Sequence, residues 1–304
     1  MSQQQGAVAG SLPLGGQEAA VRRSSNLWRD AFYRLIRNKL AVVGLTGVLI
    51  ILALALVGPS IPGLKGRDTI YYGHQQEPPG GEFLLGTDFE SRDMLVRLIY
   101  GARVAIFIGF FTQLIIVLIG VTVGAVAGYF GGWVDNILMR FVDVWYAVPA
   151  LLFAILIMVM LGRGMLNLFL AIGLIQWVTL ARLVRGQMLS LREKEFVKAG
   201  RVAGTGGFGM VTRHLLPNAL TPIIVAVTFG IPQAIFTEAT LSFFGVGINP
   251  PTPSWGQMVG QYQTYLRSAP HMAILPALCI AFTMLSFTFF GDGLRDALDP
   301  KMNR

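Results

Sequence analysis

Six long apolar runs constrain this chain more than any other feature. They lie at residues 40–57, 104–128, 137–161, 165–183, 219–246 and 271–290. A hydrocarbon core about 30 Å thick is crossed by about 20 apolar residues of α-helix, and each run is of that order. Only helices and closed barrels pair all their backbone groups inside lipid. Barrel strands read as segments of about ten alternating residues, and a stretch such as LIIVLIGVTVGAVAGYF does not alternate. The pattern gives an all-α polytopic membrane protein of about six transmembrane helices. Charged residues make up 13% of the chain, against roughly 25% in soluble domains, so most of its surface faces lipid.

Glycine supplies 36 of 304 residues, well above the roughly 7% of average proteins, and small residues let membrane helices approach closely. Gly120, Gly124 and Gly128 form two overlapping GxxxG steps on one face of the second span. That ridge serves packing within this chain or against a partner subunit. The sole cysteine, Cys279, falls in the sixth span, so no intrachain disulfide forms. Residues 1–39 lack the apolar core of a cleavable signal peptide, and residues 1–26 read as a disordered tail.

The formal net charge is +8, but in a membrane protein the side on which basic residues fall matters more than their sum, which argues against nucleic acid as a partner. Six Lys and Arg precede the first span, seven lie between Arg182 and Arg213, three follow the sixth span, and Arg140 stands alone. Placing these inside makes both termini cytoplasmic. Residues 27–58 then comprise an amphipathic segment followed by the first span. Leu27, Ala31, Phe32, Leu35 and Ile36 recur at helical spacing beside Arg29, Arg34, Arg37 and Lys39, which fits an interfacial helix on anionic lipid or a plain basic anchor. Residues 59–101 form a long extracytoplasmic loop. A second outside loop, 247–270, holds Pro250, Pro251, Pro253 and Trp255 and is too rich in proline to be helical, so it is expected to be a rigid surface feature.

The stretch that stays out of the bilayer between the fourth and fifth spans, residues 186–217, is the most informative. Phe196, Ala199, Gly200 and Ala203 share one helical face, and Lys194, Lys198 and Arg201 another, the pattern of a short amphipathic helix. Gly204, Gly206 and Gly207 break it. A second short helix is expected to end before Pro217, with Arg213 and His214 near its C-terminus where positive charge is favoured. Pattern alone leaves two readings, a docking surface for another protein and a hairpin floating on the membrane.

This segment resembles the cytoplasmic coupling loop of binding-protein-dependent ABC importer permeases, whose pattern is Glu-Ala-Ala, three residues, Gly, nine residues, then a hydrophobic run ending in Leu-Pro. The corresponding residues are Lys198, Ala199, Gly200, Gly204, and His214, Leu215, Leu216, Pro217. Lys198 reverses the charge of the usual Glu. Gly200 replaces Ala and weakens the helix by about 1 kcal/mol, and both departures bear on which ATPase surface the loop fits. Gly86, Thr87, Asp88, Arg92, Asp93 and the Tyr100-Gly101-Ala102-Arg103 run resemble the outside loop of the dipeptide, oligopeptide and nickel-type permeases, with Ser91 where Gly is usual. Residues 241–247 with Pro250, Pro251 and Trp255 look like that family's fifth-span exit, and residues 291–300 are similar to its C-terminus.

The resemblance, to the C-type subunit, implies a type I importer fold with a permease core at 102–292 and a cytoplasmic tail at 293–304. It implies uptake of dipeptides, oligopeptides or related solutes such as nickel or glutathione. The implied partners are a homologous B-type permease, two ATP-binding subunits and an extracytoplasmic solute-binding protein, in a bacterial or archaeal cell membrane, the inner one where there are two. The sequence has no Gly-x-x-x-x-Gly-Lys-Ser/Thr loop to cradle phosphates, so ATP and Mg²⁺ are expected on partner subunits and no cofactor on this chain. A secondary transporter or channel would favour inverted repeats or broken helices, and no repeat is visible. His74, His214 and His271 are too scattered for a catalytic cluster.

Charged residues within spans ask for partners. Arg140 and Asp143 are spaced to pair on one helix face. Glu238, after Gly230 and Pro232, either braces a kinked fifth helix or faces the pathway as a gate. Asp88, Arg92 and Asp93 suit a salt-bridged loop, docking of the binding protein or packing on the partner permease. Asp292, Arg295, Asp296 and Asp299 are expected to cap and solvate the last helix.

Overall fold

Asn38 is where the chain first turns into the bilayer. Its backbone is extended and its side chain accepts from the Leu40 and Ala41 N–H groups, separating α1 (Leu27–Arg37) from α2 (Lys39–Val57). The computed structural model describes residues 27–61, 64 and 66–299; the expected N-terminal tail lies outside them. Ala31 and Leu35 bury against Ala297 and Leu298 at the far end of the chain, while Phe32, Tyr33 and Ile36 stay exposed. The α1 segment is thus packed on protein along one face and open along the other.

The next helix, α3 (Met94–Phe130), starts inside the stretch that sequence pattern assigns to a loop. Asp93 sets its start by accepting from the Leu95 N–H at 2.8 Å, a standard N-cap. At about 1.5 Å per residue its 37 residues reach about 55 Å, well beyond the hydrocarbon thickness. The glycine ridge lies along α6 (Met165–Arg192). A Cβ on Gly120 would lie 2.9 Å from the Trp177 carbonyl oxygen, one on Gly124 2.4 Å from that of Ala181, and one on Gly128 2.5 Å from Met188 Cβ. Its packing is therefore internal.

The third apolar run is not one straight span. It divides into α4 (Gly132–Ala147) and α5 (Ala150–Leu161), bent by 86°. Pro149 explains the break, because its ring pushes the preceding residue out of helical geometry, and Val148 has ψ at 128°. Among the described residues, five helices are long and apolar enough to cross a membrane, six if the bent pair counts as one span.

After α6 come α7 (Glu195–Val202), a single turn α8 (Gly207–Gly209), a π-helical stretch Met210–Leu215, and α9 (Leu216–Phe243). The last three form one continuous column, Gly207–Phe243. The second short helix therefore does not end before Pro217. Pro217 stands where the column passes from the π-helical stretch into α9, and the column continues through it into the fifth span.

The Pro-rich stretch 247–270 is also different from its expectation. Pro250 and Pro251, joined by a cis peptide, are exposed, but α10 (Trp255–Tyr262) follows and is buried. Met258 and Tyr262 are fully covered by α3, α9 and α11 (His271–Leu298). In α11 the helix runs on to Leu298, so 293–298 is not a tail but the two turns that hold α1. Asp292, Arg295 and Asp296 point to solvent along those turns. No strand occurs among the described residues.

Candidate functional site

At the end of the bundle carrying α7, a small platform rests on the core through three buried side chains. Val197, Met210 and Leu215 are fully covered and join Val184 and Met188 of α6 and Ala219 of α9 in one cluster. The buried face of α7 thus runs through Val197, whereas Phe196 is 39% exposed and Lys198 and Ala199 face outward. Gly200 packs on Met210, whose Cε lies 2.9 Å from where a Cβ would sit. Gly204 ends α7 at φ +82°. Thr205 N–H donates to the Gly200 carbonyl and Gly204 N–H to that of Arg201, both at 3.0 Å, the paired bonds of a Schellman stop.

Arg213 and Pro217 are exposed, His214 and Leu216 half-buried, and Leu215 is an anchor. Val202 and Phe208 are the platform's most prominent apolar side chains, 91% and 85% exposed. Neither stands out in the sequence, because the face a short helix turns outward depends on which residue the core takes as anchor.

At the opposite end, Asp88 is fully buried and carries five contacts. Its Oδ1 accepts from the Glu90 and Arg92 N–H groups at 2.8 and 2.9 Å. Its Oδ2 accepts from Arg92 Nε at 2.7 Å and Tyr262 Oη at 3.0 Å, and Arg97 Nε approaches it at 3.4 Å. Burial lowers the Arg92 guanidinium, but the charge and hydrogen bond of Asp88, with Tyr262 and Glu90, raise it above its ordinary value overall. Burial, with Asp88 adding to it, raises Tyr262 despite Arg97 and Arg92.

Around this cluster Gly86 turns at φ +76°, His271 Nε2 lies 3.2 Å from the Thr87 carbonyl, and Trp255 Nε1 donates to the Leu98 carbonyl at 3.0 Å. The Trp255 ring lies on Gly101, where a Cβ would come within 2.5 Å of it. The stretches that resemble the family's outside loop and fifth-span exit therefore meet in space. Arg97 and Tyr262 complete the cluster without any local signal, Tyr262 being 174 positions from Asp88.

Glu238 lies on the same side of α9. It is 2% exposed, and its Oε1 accepts from Ser242 Oγ at 2.7 Å and Ser254 Oγ at 2.5 Å. Ser254 caps α10, so the carboxylate fastens the C-terminal end of α9 to the start of α10. The charges nearer α7 also pair differently from their spacing. Arg140 is exposed, while Asp143 takes Arg182 at 2.8 Å and Asp135 takes Arg185 through two bonds of 2.5 and 2.6 Å. Both partners come from α6 because α4 packs across it.

Between α3, α5, α6 and α9 lies a lateral cleft of about 720 Å³. Its polar lining comprises Gln113, Gln176, Thr179, Gln233, Thr237 and Thr240. Glu238 is absent from it, since its neighbour Thr237 takes the cleft-facing side of α9. A polar face at membrane depth is costly against lipid, which marks this wall as the lining of a water-filled or protein-covered space.

Helices long enough to span a membrane around a polar cleft, with an exposed platform at one end and a tied cap at the other, are the build of a membrane permease subunit. Residues 120–304 match the family of binding-protein-dependent transport system inner membrane components, and residues 26–79 match the N-terminal TM domain of oligopeptide transport permease C. The chain belongs to this family of ABC importer permeases. It is 40% identical over 290 residues, 95% of each chain, to the oligopeptide transport system permease protein OppC of Bacillus subtilis (strain 168). It is 41% identical to the dipeptide permease DppC of the same organism, covering 94% of this chain and 90% of that one. The glutathione permease GsiD of Pectobacterium atrosepticum is 37% identical, over 90% of this chain and 91% of its own. Among solved structures, a chain of the inward-facing MetNI methionine ABC transporter superposes with TM-score 0.56 at 20% identity. It covers 68% of this chain and 98% of that chain.

Proposed function

We propose that this chain is one of two membrane-spanning subunits of an ATP-driven importer of dipeptides or oligopeptides, delivered by an extracytoplasmic solute-binding protein. The observation that carries the ATP dependence is the α7 platform, where Val202 and Phe208 stand in water on a chain with lipid available to it. Exposed apolar side chains rimmed by Lys194, Lys198 and Arg201 suit a protein partner with an apolar pocket and acidic rim. That partner is a pair of ATP-binding subunits, which hold ATP and Mg²⁺; no cofactor belongs to this chain. The Asp88 and α10 end then faces outside, toward the binding protein, and both termini are cytoplasmic in the inner membrane or its single-membrane equivalent. A homologous B-type permease closes the cleft from the other side.

The mechanism follows from continuity. The platform's π-helical stretch runs without interruption into α9, and α9 lines the cleft and is tied to the outer cap through Glu238. When ATP draws the ATPases together, a push on the platform is delivered along α9 to both. The peptide solute is supported by the relatives, whose names give oligopeptide and dipeptide transport and, for one, glutathione.

The test is purification of the chain with its co-expressed partners and identification of the ligand held by the binding protein. Peptides in that ligand pool, with ATP hydrolysis stimulated by the loaded binding protein, are the expected result. A non-peptide ligand overturns the solute assignment, and solute uptake that proceeds without ATP overturns the coupling.

A further inference from the structure

The cleft holds more hydrogen-bonding capacity than its own walls use. Gln113 on α3 lines it, is 5% exposed, and its Nε2 has no hydrogen-bond partner. A buried amide donor left unpaired is costly. The amide packs directly on Gly230 of α9, whose missing side chain makes room for it; a Cβ there would lie 2.5 Å from both Nε2 and Oε1 of Gln113. Two residues on, Pro232 sits inside α9 with no N–H to give the Thr228 carbonyl one turn earlier, so the helix loses that bond as well.

The rest of the polar wall is of the same kind. Gln176 Nε2 donates to Thr237 Oγ1 at 3.0 Å, and the Thr237 and Thr240 hydroxyls donate to the carbonyls of Gln233 and Phe236 at 2.8 Å. Those bonds leave acceptor positions on the hydroxyls and on Gln176, and Gln233 and Thr179 are exposed to the cleft. Gln113, Gln176 and Thr179 lie near the middles of α3 and α6, and Gln233, Thr237 and Thr240 lie in the C-terminal half of α9. None of the residues lining the cleft is ionisable.

We infer that this wall binds the amide groups of a passing peptide's backbone and does not select by the charge of its side chains. The inference rests on the peptide reading and deepens it. A carboxylate or ammonium in this wall would attract one sign of side chain and repel the other, strongly so away from bulk water. Neutral amides and hydroxyls offer every peptide bond both a donor and an acceptor without that bias. Gln113 supplies a donor that its own chain leaves unpaired; its nitrogen is covered against Gly230 here, so a solute reaches it when α3 and α9 part at that point.

The experiment uses cells lacking their own peptide uptake that express this chain with its partner proteins, supplied with labelled Ala-Ala-Ala, Ala-Lys-Ala and Ala-Glu-Ala. With the binding protein unchanged, Gln233→Glu is expected to raise the ratio of lysyl to glutamyl peptide uptake, and Gln233→Lys to lower it. Each shift should be roughly five-fold relative to the unsubstituted chain. Misfolding lowers all three peptides together and cannot produce opposite shifts. Gln113→Leu is expected to lower uptake of all three alike by about ten-fold while raising the melting temperature, because it removes an unpaired buried amide. Unchanged ratios in both charged variants, or full uptake in Gln113→Leu, overturn the inference while leaving peptide import standing. Absence of any uptake dependent on the unsubstituted chain overturns the peptide reading itself.

Discussion

Ser91 holds φ at +59°, a conformation that suits glycine and costs other residues roughly 1–2 kcal/mol. It stands where the resembling loops carry glycine, and its position follows from the cluster it serves: Ser91 N–H donates to the Asp88 carbonyl at 3.0 Å, and Asp88 N–H to that of Arg92 at 2.9 Å. The turn that lets Asp88 meet the Arg92 side chain thus requires a left-handed residue between them. Ser91→Gly is expected to stabilise the protein by about 0.5–1 kcal/mol, the relief of strain less the extra freedom glycine has when unfolded. Thermal melting of the detergent-solubilised chain checks this, and a lower melting temperature would mean that the serine side chain itself holds the turn.

Between elements, the closest seam is that of α3 and α6. Gly120, Gly124 and Gly128 bring backbone against backbone there, with Gly124 in the middle. Gly124→Leu would drive a side chain into the Ala181 carbonyl and the Val184 side chain, and overpacking costs of about 1–3 kcal/mol or more are expected. The variant should melt lower and aggregate sooner, whereas Leu118→Ala on the exposed face of α3 should not; an unchanged melting temperature for Gly124→Leu would move the ridge to a different contact.

This seam was legible as a pattern but not as a pair, because GxxxG names a face without naming what covers it. The spans were legible for a firmer reason, the fixed thickness of the bilayer. The stop at Gly204 was legible too, since the glycine turn is local chemistry. The break at Val148 and Pro149 was carried in the sequence by proline, yet apolar run length hid it. The Arg97 and Tyr262 contacts of Asp88, and the Asp135 and Arg185 pair, depend on how distant helices pack, which no local spacing records.

At the scale of the whole molecule, the proposed drive depends on the platform being a surface of the folded bundle and not an appendage. Val197, Met210 and Leu215 are part of the core that holds α6 and α9 together, so removing the segment would damage the fold and say little about docking. Single charges on its outward side separate the two. Val202→Asp and Phe208→Asp each place a carboxylate where the side chain is almost wholly in water, and surface changes of that kind alter folding stability by only about 0.5 kcal/mol. Apolar side chains buried in an interface typically contribute about 2 kcal/mol or more when they are its anchors. Each variant should therefore reach the membrane in normal amount and melt normally, while losing at least about ten-fold in ATPase co-purification and losing ATP-driven uptake in proportion. Lys198→Ala, at the edge of the same face, should weaken association less and chiefly at low salt, as a rim charge does. Full co-purification with both aspartate variants would place the ATPase contact elsewhere and leave the continuous helix from Gly207 to Phe243 without its proposed driver.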